Sequence, residues 1–130
     1  ARANGCPWNS GTCMAAAESG HLEVLQWLHA NGCPWDEKGL LFISAREGQE
    51  AVMQALIEAG ADINKAYDDG VTPLLIAAHE GHVAMVRALI EVGADVNKAM
   101  DEREGVTPLY IAAHKDHAAI VQILRDAGVA

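Results

Sequence analysis

Aromatic side chains, basic residues and cysteine are all scarce in this 130-residue chain. It has one Phe, two Tyr and three Trp, although half of its residues are hydrophobic and many of those are alanine. So few bulky side chains leave little material to wall a large closed cavity, whereas alanine allows helices to approach closely. Nine Lys and Arg against 18 Asp and Glu give a formal net charge of −9. Nucleic acids and anionic membranes need basic footprints, so we expect neither as a partner.

Long apolar runs and catalytic motifs are missing as well. The longest apolar runs fall far below the roughly 20 residues of a membrane span. A secretory signal pattern and an initiator Met are both absent, so we expect a piece of a longer array or a trimmed chain, in an intracellular and most simply cytoplasmic setting. The sequence has no phosphate-binding loop, nucleophile elbow or H-E-x-x-H motif. These absences predict a protein that is not an enzyme and that uses no cofactor.

What the chain does contain is an internal repeat. The segment Gly70–Ala99 reads GVTPLLIAAHEGHVAMVRALIEVGADVNKA, and from Gly105 the sequence GVTPLYIAAHKDHAAIVQILRDAGVA follows the same phrase. The first half of the chain carries looser copies. A period in this range indicates stacked supersecondary units rather than one closed core.

Each unit predicts two short helices. In the third unit Thr72 can cap the first helix, and Pro73 stands in its first turn, where a missing N–H costs nothing. Gly81 is placed to end that helix, and Gly93 to end the second. The Asp, Asn and Gly residues that follow favour turns, with room for a protruding β-hairpin between units.

At these residues the chain resembles the ankyrin repeat family. Thr72-Pro73-Leu74 and Thr107-Pro108-Leu109 match the start of its T-P-L-H-x-A signature. The resemblance implies an all-α repeat solenoid of stacked helix-turn-helix units with β-hairpin or loop fingers. We expect one domain over residues 1–130. It divides into the end of a preceding repeat at 1–7 and into repeats at 8–34, 35–62, 63–95 and 96–130.

The chain departs from the family pattern at several positions. Leu75 and Tyr110 stand where the signature has His, and Asp116 replaces a Gly. Asp visits the left-handed backbone region more readily than most residues, so this last change is tolerable. The first units resemble a short variant in which Cys-Pro-Trp replaces much of the hairpin, so the finger between Gly32 and Gly39 is predicted to be stunted.

The resemblance also implies where a partner binds. Ankyrin proteins typically hold protein partners with their finger tips and with the inner face of the first helices. Carried over by position, this surface comprises Arg46, Glu47, Tyr67, Asp68, Asp69, Val71, His79, Glu80, Asp101, Glu102, Arg103, Glu104, Val106, Tyr110, His114 and Lys115. The tips are acidic, so we predict a non-catalytic module that binds a basic or neutral protein. Ordinary solvated charged loops are the alternative interpretation of these tips.

Two other functions stay open. Leu56 and Leu89 each lie eight residues before an Asn, a spacing that resembles ankyrin segments hydroxylated by an asparaginyl hydroxylase. Asn64 and Asn97 would then be modified, although the simpler interpretation is that they hold the start of each finger.

The chain is alternatively a scaffold segment of a longer array. We expect a monomer, with end-to-end association through the last helix as the alternative, using residues Ile120, Val121, Ile123 and Leu124.

Histidine, cysteine and tryptophan positions complete the candidates. Two His-x-x-His pairs occur, His79 with His82 and His114 with His117. Gly81 or Asp116 interrupts the helix within each pair, and no nearby side chains supply the further ligands that a metal ion needs, so no metal site is predicted. Instead His82 and His117 are predicted to open the second helices. Because stacked helices lie about 8–10 Å apart and a disulfide needs Cα atoms within about 7 Å, we expect free thiols. The cysteines concerned are Cys6, Cys13 and Cys33.

The tryptophans are predicted to differ in burial. Trp27 is predicted to lie in the core, whereas Trp8 and Trp35 are predicted to pack over helix ends or to form an exposed patch.

Overall fold

The computed structural model describes residues 15–32, 36–66, 70–100 and 106–128, and helices are the regular structure that it contains there. The helical pairs predicted from the sequence are confirmed, and the described residues include no β-strand. The helices are α1 at residues 15–18, α2 at Leu22–Ala30, α3 at Glu37–Glu47, α4 at Glu50–Glu58, α5 at Pro73–Glu80, α6 at Val83–Glu91, α7 at Pro108–His114 and α8 at Ala118–Asp126.

The chain forms two compact units, Ala1–Ala61 and Asp62–Ala130. In the first unit α4 packs against both α2 and α3. In the second, α5 packs against α6 and α7, and α8 packs against α6 and α7. The division into four repeats of one domain remains a prediction. None of the described helices combines the length and the hydropathy that crossing a membrane requires.

Apolar side chains at helical spacing build the core of each unit. In the first unit the buried residues are Leu25, Leu28, Leu40, Leu41, Val52, Met53 and Leu56, and in the second they are Leu74, Leu75, Met85, Val86, Leu89, Ile120 and Leu124. Ile120 and Leu124 therefore already belong to the core of α8, whereas Val121 and Ile123 are half-buried.

Side-chain caps begin the first helices where the sequence predicts them. Thr72 Oγ1 accepts a hydrogen bond from the Leu75 N–H at 3.3 Å, and Thr107 Oγ1 accepts one from the Tyr110 N–H at 3.2 Å. A carboxylate performs this role in α3, where Asp36 accepts a bond from Gly39. Because α3 begins at Glu37, Gly39 lies inside its first turn rather than at the end of a finger.

Trp27 contradicts its predicted place in the core. Its neighbours Leu25 and Leu28 are buried, but 46% of Trp27 is exposed. The residue at the same distance from the helix-ending glycine is Ala55 in α4 and Ala88 in α6. In α8 the counterpart is Ile123, and all three counterparts are half-buried. This position therefore lies at the edge of the packing in each second helix, where a bulky indole stays largely exposed.

Candidate functional site

The last turns of α5 and α7 present four polar side chains to solvent. His79 and Glu80 end α5, and His114 ends α7 with Lys115 at its cap; all four are exposed. Two residues before each histidine, Ala77 and Ala112 are fully buried. Equivalent backbone positions thus carry His-Glu at the end of α5 and His-Lys at the end of α7. The small buried alanines beneath them allow these two helices to pack closely.

Local contacts order some of these side chains. His79 Nδ1 lies 2.9 Å from Glu80 Oε2. The Tyr110 ring stacks on the His114 ring with centroids 6.0 Å apart and an interplanar angle of 6°. Such a pair at spacing i, i+4 stabilises a helix only modestly, but it limits the rotamers of both rings.

The bases of the fingers are partly ordered by backbone bonds. The Met100 N–H donates to the Val106 carbonyl at 3.1 Å and so joins the two sides of the last finger. Val106 and Val71 are half-buried at the start of the first helices. The finger that precedes Val106 therefore begins from a fixed base.

The residues that precede α4 and α8 each bond to the preceding repeat of their unit, and the sequence analysis missed the one before α4. His117 Nε2 donates to the His79 carbonyl at 3.1 Å, and a Cβ added to Gly81 would lie 2.8 Å from the His117 ring. In the first unit Gln49 Nε2 donates to the Glu18 carbonyl at 3.1 Å, over Gly20. Gln49 follows Gly48 as His82 follows Gly81, and this match in the sequence was the available signal.

A family model described as Ankyrin repeats (3 copies) matches residues 12–100 and again residues 41–130. The chain belongs to the ankyrin repeat family. No curated protein matches it. Ankyrin repeats are generally protein–protein interaction modules and are typically non-catalytic.

Arg46 and Glu47, at the corresponding place in the first unit of this ankyrin chain, form a charge cluster. Arg46 Nη2 lies 3.0 Å from Glu18 Oε2, and Arg46 Nε lies 3.0 Å from Glu47 Oε2. The guanidinium carbon also lies 5.8 Å from the centre of the Phe42 ring. Exposed ion pairs contribute only about 0–1 kcal/mol to stability, so the cluster adds little to the stability of this unit.

Asn64 ties the start of one ankyrin finger to the start of the next. Its Oδ1 accepts a bond from the Asp95 N–H at 2.7 Å, and its Nδ2 donates to the Gly93 carbonyl at 3.3 Å. The N–H groups of Asn64 and Asn97 each bond to the Asp two residues before, at 3.0 Å. For Asn64 this agrees with the simpler interpretation, a residue that holds the finger in place.

Several predicted residues lie outside the described part of the chain. They are the tip residues Tyr67, Asp68, Asp69, Asp101, Glu102, Arg103 and Glu104, the cysteines Cys6, Cys13 and Cys33, and Trp8 and Trp35. The described ranges contain no cluster of three or more His, Cys, Asp or Glu side chains that could hold a metal ion.

Proposed function

We propose that this ankyrin chain is a non-catalytic recognition module for a neutral or basic protein. The partner lies against the last turns of the first helices and the acidic finger tips. The observation that carries the proposal is the paired arrangement in the second unit. Exposed His79-Glu80 and His114-Lys115 stand at equivalent positions of adjacent helices, above fully buried alanines.

The energetic argument is pre-organisation. Threonine caps begin both helices, and the His117 bridge ties the fourth repeat to the end of α5. A surface that is already ordered loses little conformational entropy when a partner binds. Variation among equivalent surface positions, rather than the shared framework, then determines which partner is held.

Charge should act on the rate of association. The two finger tips carry Asp68, Asp69, Asp101 and Glu102 in a chain of net charge −9. Reversing these four charges to Lys should slow association with the native partner by about tenfold at low salt and flatten its salt dependence, because steering is lost. Stopped-flow or biosensor kinetics, with the partner recovered by affinity capture and mass spectrometry, give the measurement.

A matched control separates local charge from net charge. Reversing four exposed acidic residues of the second helices to Lys changes the net charge equally but leaves the tips intact. The control residues are Glu23, Glu58, Glu91 and Asp126. Equal slowing in both variants, or no change in either, would contradict the acidic-tip proposal.

A further inference from the structure

The end of α2 carries a reactive pair of residues. The helix ends at Ala30, and the next two residues, Asn31 and Gly32, are both exposed. In such a pair the side-chain amide carbon of Asn can be attacked by the backbone nitrogen of the following residue. Glycine has no side chain to shield that nitrogen. Asn31 and Gly32 therefore have the chemistry to close a succinimide ring.

The native backbone conformation holds the reacting atoms apart. The ψ angle of Asn31 is 10°, so the Gly32 nitrogen nearly eclipses the Asn31 nitrogen. Ring closure instead requires the Gly32 nitrogen to lie on the side of the Asn31 Cβ, because the ring contains both Cβ and Cγ. The peptide group between the two residues must therefore rotate before the reaction begins.

Three hydrogen bonds oppose this rotation. Asn31 Nδ2 donates to the Trp27 carbonyl at 2.8 Å, and the Asn31 N–H donates to the same carbonyl at 3.1 Å. The Gly32 N–H donates to the His29 carbonyl at 3.1 Å, and its proton is the one that the attacking nitrogen must lose. All three bonds close the last turn of α2, so fraying of this helix end releases them together.

The reaction needs only water once the atoms are free. The Gly32 nitrogen forms a bond to Asn31 Cγ, the Cγ–Nδ2 bond breaks, and Nδ2 leaves as ammonia with the proton of the Gly32 N–H. Water then opens the ring. Its addition at Cγ yields aspartate, whereas its addition at the backbone carbonyl carbon of Asn31 yields isoaspartate, in which the main chain runs through Cβ and Cγ.

Either product weakens the end of α2. A carboxylate cannot donate to the Trp27 carbonyl, and it places a negative charge at the C-terminus of a helix, where the helix dipole disfavours it. The same turn contains Leu28, which is fully buried in the unit where α2 packs against α4. The reaction is therefore a one-way change that leaves this turn open more often.

We propose that Asn31 is a site of spontaneous deamidation that becomes reactive when the last turn of α2 frays. The reaction requires neither an enzyme nor a bound partner, so it stands apart from the proposed recognition function. Asn64 and Asn97 are each followed by lysine, so they lack the unshielded nitrogen that Gly32 provides.

Timed incubation of the full chain at mildly alkaline pH, followed by mass spectrometry, tests this proposal. Cleavage after glutamate releases residues 24–37, in which Asn31 is the single asparagine. A free peptide of the same residues is the reference, because an isolated helix of this length is marginal in water. We expect aspartate and isoaspartate at Asn31 in the folded chain, formed at least about tenfold more slowly than in the peptide.

Two variants test the dependence on helix opening. Leu28→Ala should speed the reaction at least about fivefold, because the loss of a buried leucine makes opening of α2 less costly. Gln26→Ala is the matched control on the same helix, since Gln26 is exposed, and it should leave the rate unchanged. Circular dichroism must show that both variants are folded. Urea below the unfolding transition of the unmodified chain should raise its rate too, and this measurement replaces Leu28→Ala if that variant unfolds.

Conversion that is slower in the folded chain than in the peptide, and that accelerates when α2 is loosened, supports the proposal. Equal rates in the folded chain and the peptide would overturn it, and so would a folded chain that forms no product at Asn31. A rate that neither Leu28→Ala nor urea raises, or that Gln26→Ala raises as much as Leu28→Ala, would show that opening of α2 does not control the site.

Discussion

The last repeat differs from the one before it in the residue that adopts the left-handed backbone conformation after its first helix. Gly81 ends α5 at a φ of 79°, and Asp116 stands at the equivalent place after α7 with a φ of 60°. The left-handed region costs an L-residue roughly 1–2 kcal/mol, less for Asp than for most. The sequence predicted that Asp116 would tolerate this position, and the structure confirms it.

Replacing Asp116 with Gly should therefore stabilise the chain by about 0.5–1 kcal/mol, because glycine adopts positive φ without a steric penalty. Urea denaturation followed by circular dichroism measures the change in the free energy of unfolding. The neighbouring Lys115, at a φ of −92°, supplies the control. Lys115→Gly should give no gain, and an equal gain from both substitutions would refute the explanation by backbone strain.

Side-chain burial of single residues was harder to predict than backbone conformation. Leu25 and Leu28 follow the helical spacing and are buried, but Trp27 follows the same hydrophobic pattern and is 46% exposed. Hydrophobicity alone does not report how much space a position offers. The counterparts of Trp27 in α4, α6 and α8 are all half-buried, so this position lies at the edge of the core, which the hydrophobic pattern of a single helix does not reveal.

At the scale of the element, capping residues made the helix starts predictable. Thr72-Pro73 and Thr107-Pro108 begin α5 and α7 as expected, because both act through contacts within a few residues. Contacts between repeats were less accessible to prediction. The Arg46–Glu18 ion pair joins residues 28 apart in the chain, so no local pattern marks it. The predicted surface remains a prediction, and its contacts between repeats were missing from it.

The two threonine caps should contribute unequally to stability. Thr72 is 2% exposed, whereas Thr107 is only half-buried. Thr72→Ala should cost about 1–2 kcal/mol, because the buried Leu75 N–H loses its acceptor and water cannot replace it. Thr107→Ala should cost about 0.5–1 kcal/mol.

The same urea titrations measure both costs, with Thr72→Ser and Thr107→Ser as controls. Serine keeps the hydroxyl, so each control should recover most of the lost stability. Equal costs for the two alanine variants would show that burial of the cap has no influence.

At the scale of the whole molecule, net charge governs how copies approach one another. The charge of −9 near neutral pH keeps chains apart, and the sequence isoelectric point is about 4.9. Charge repulsion falls as the pH approaches this value, because carboxylates and histidines take up protons.

Turbidity as a function of pH should pass through a maximum near pH 4.9 and decline on either side. The variant with four charges reversed at the finger tips should show its maximum at a higher pH, because its net charge is less negative. The second-helix control should shift by a similar amount, since this property depends on total charge. A maximum that stays in place in both variants would contradict this account.

The two bonds of the Asn64 side chain have a consequence for enzymes that modify asparagine. Such an enzyme must take hold of an amide that is already bonded to the Asp95 N–H and the Gly93 carbonyl. Asn64 is exposed, but an enzyme that must itself bond this amide competes with both contacts, so modification is favoured when the finger opens. The rate of modification at Asn64 would then follow the local opening equilibrium rather than the surface exposure of the residue. The extent of hydroxylation at Asn64 would then measure the population of chains in which this finger is locally open.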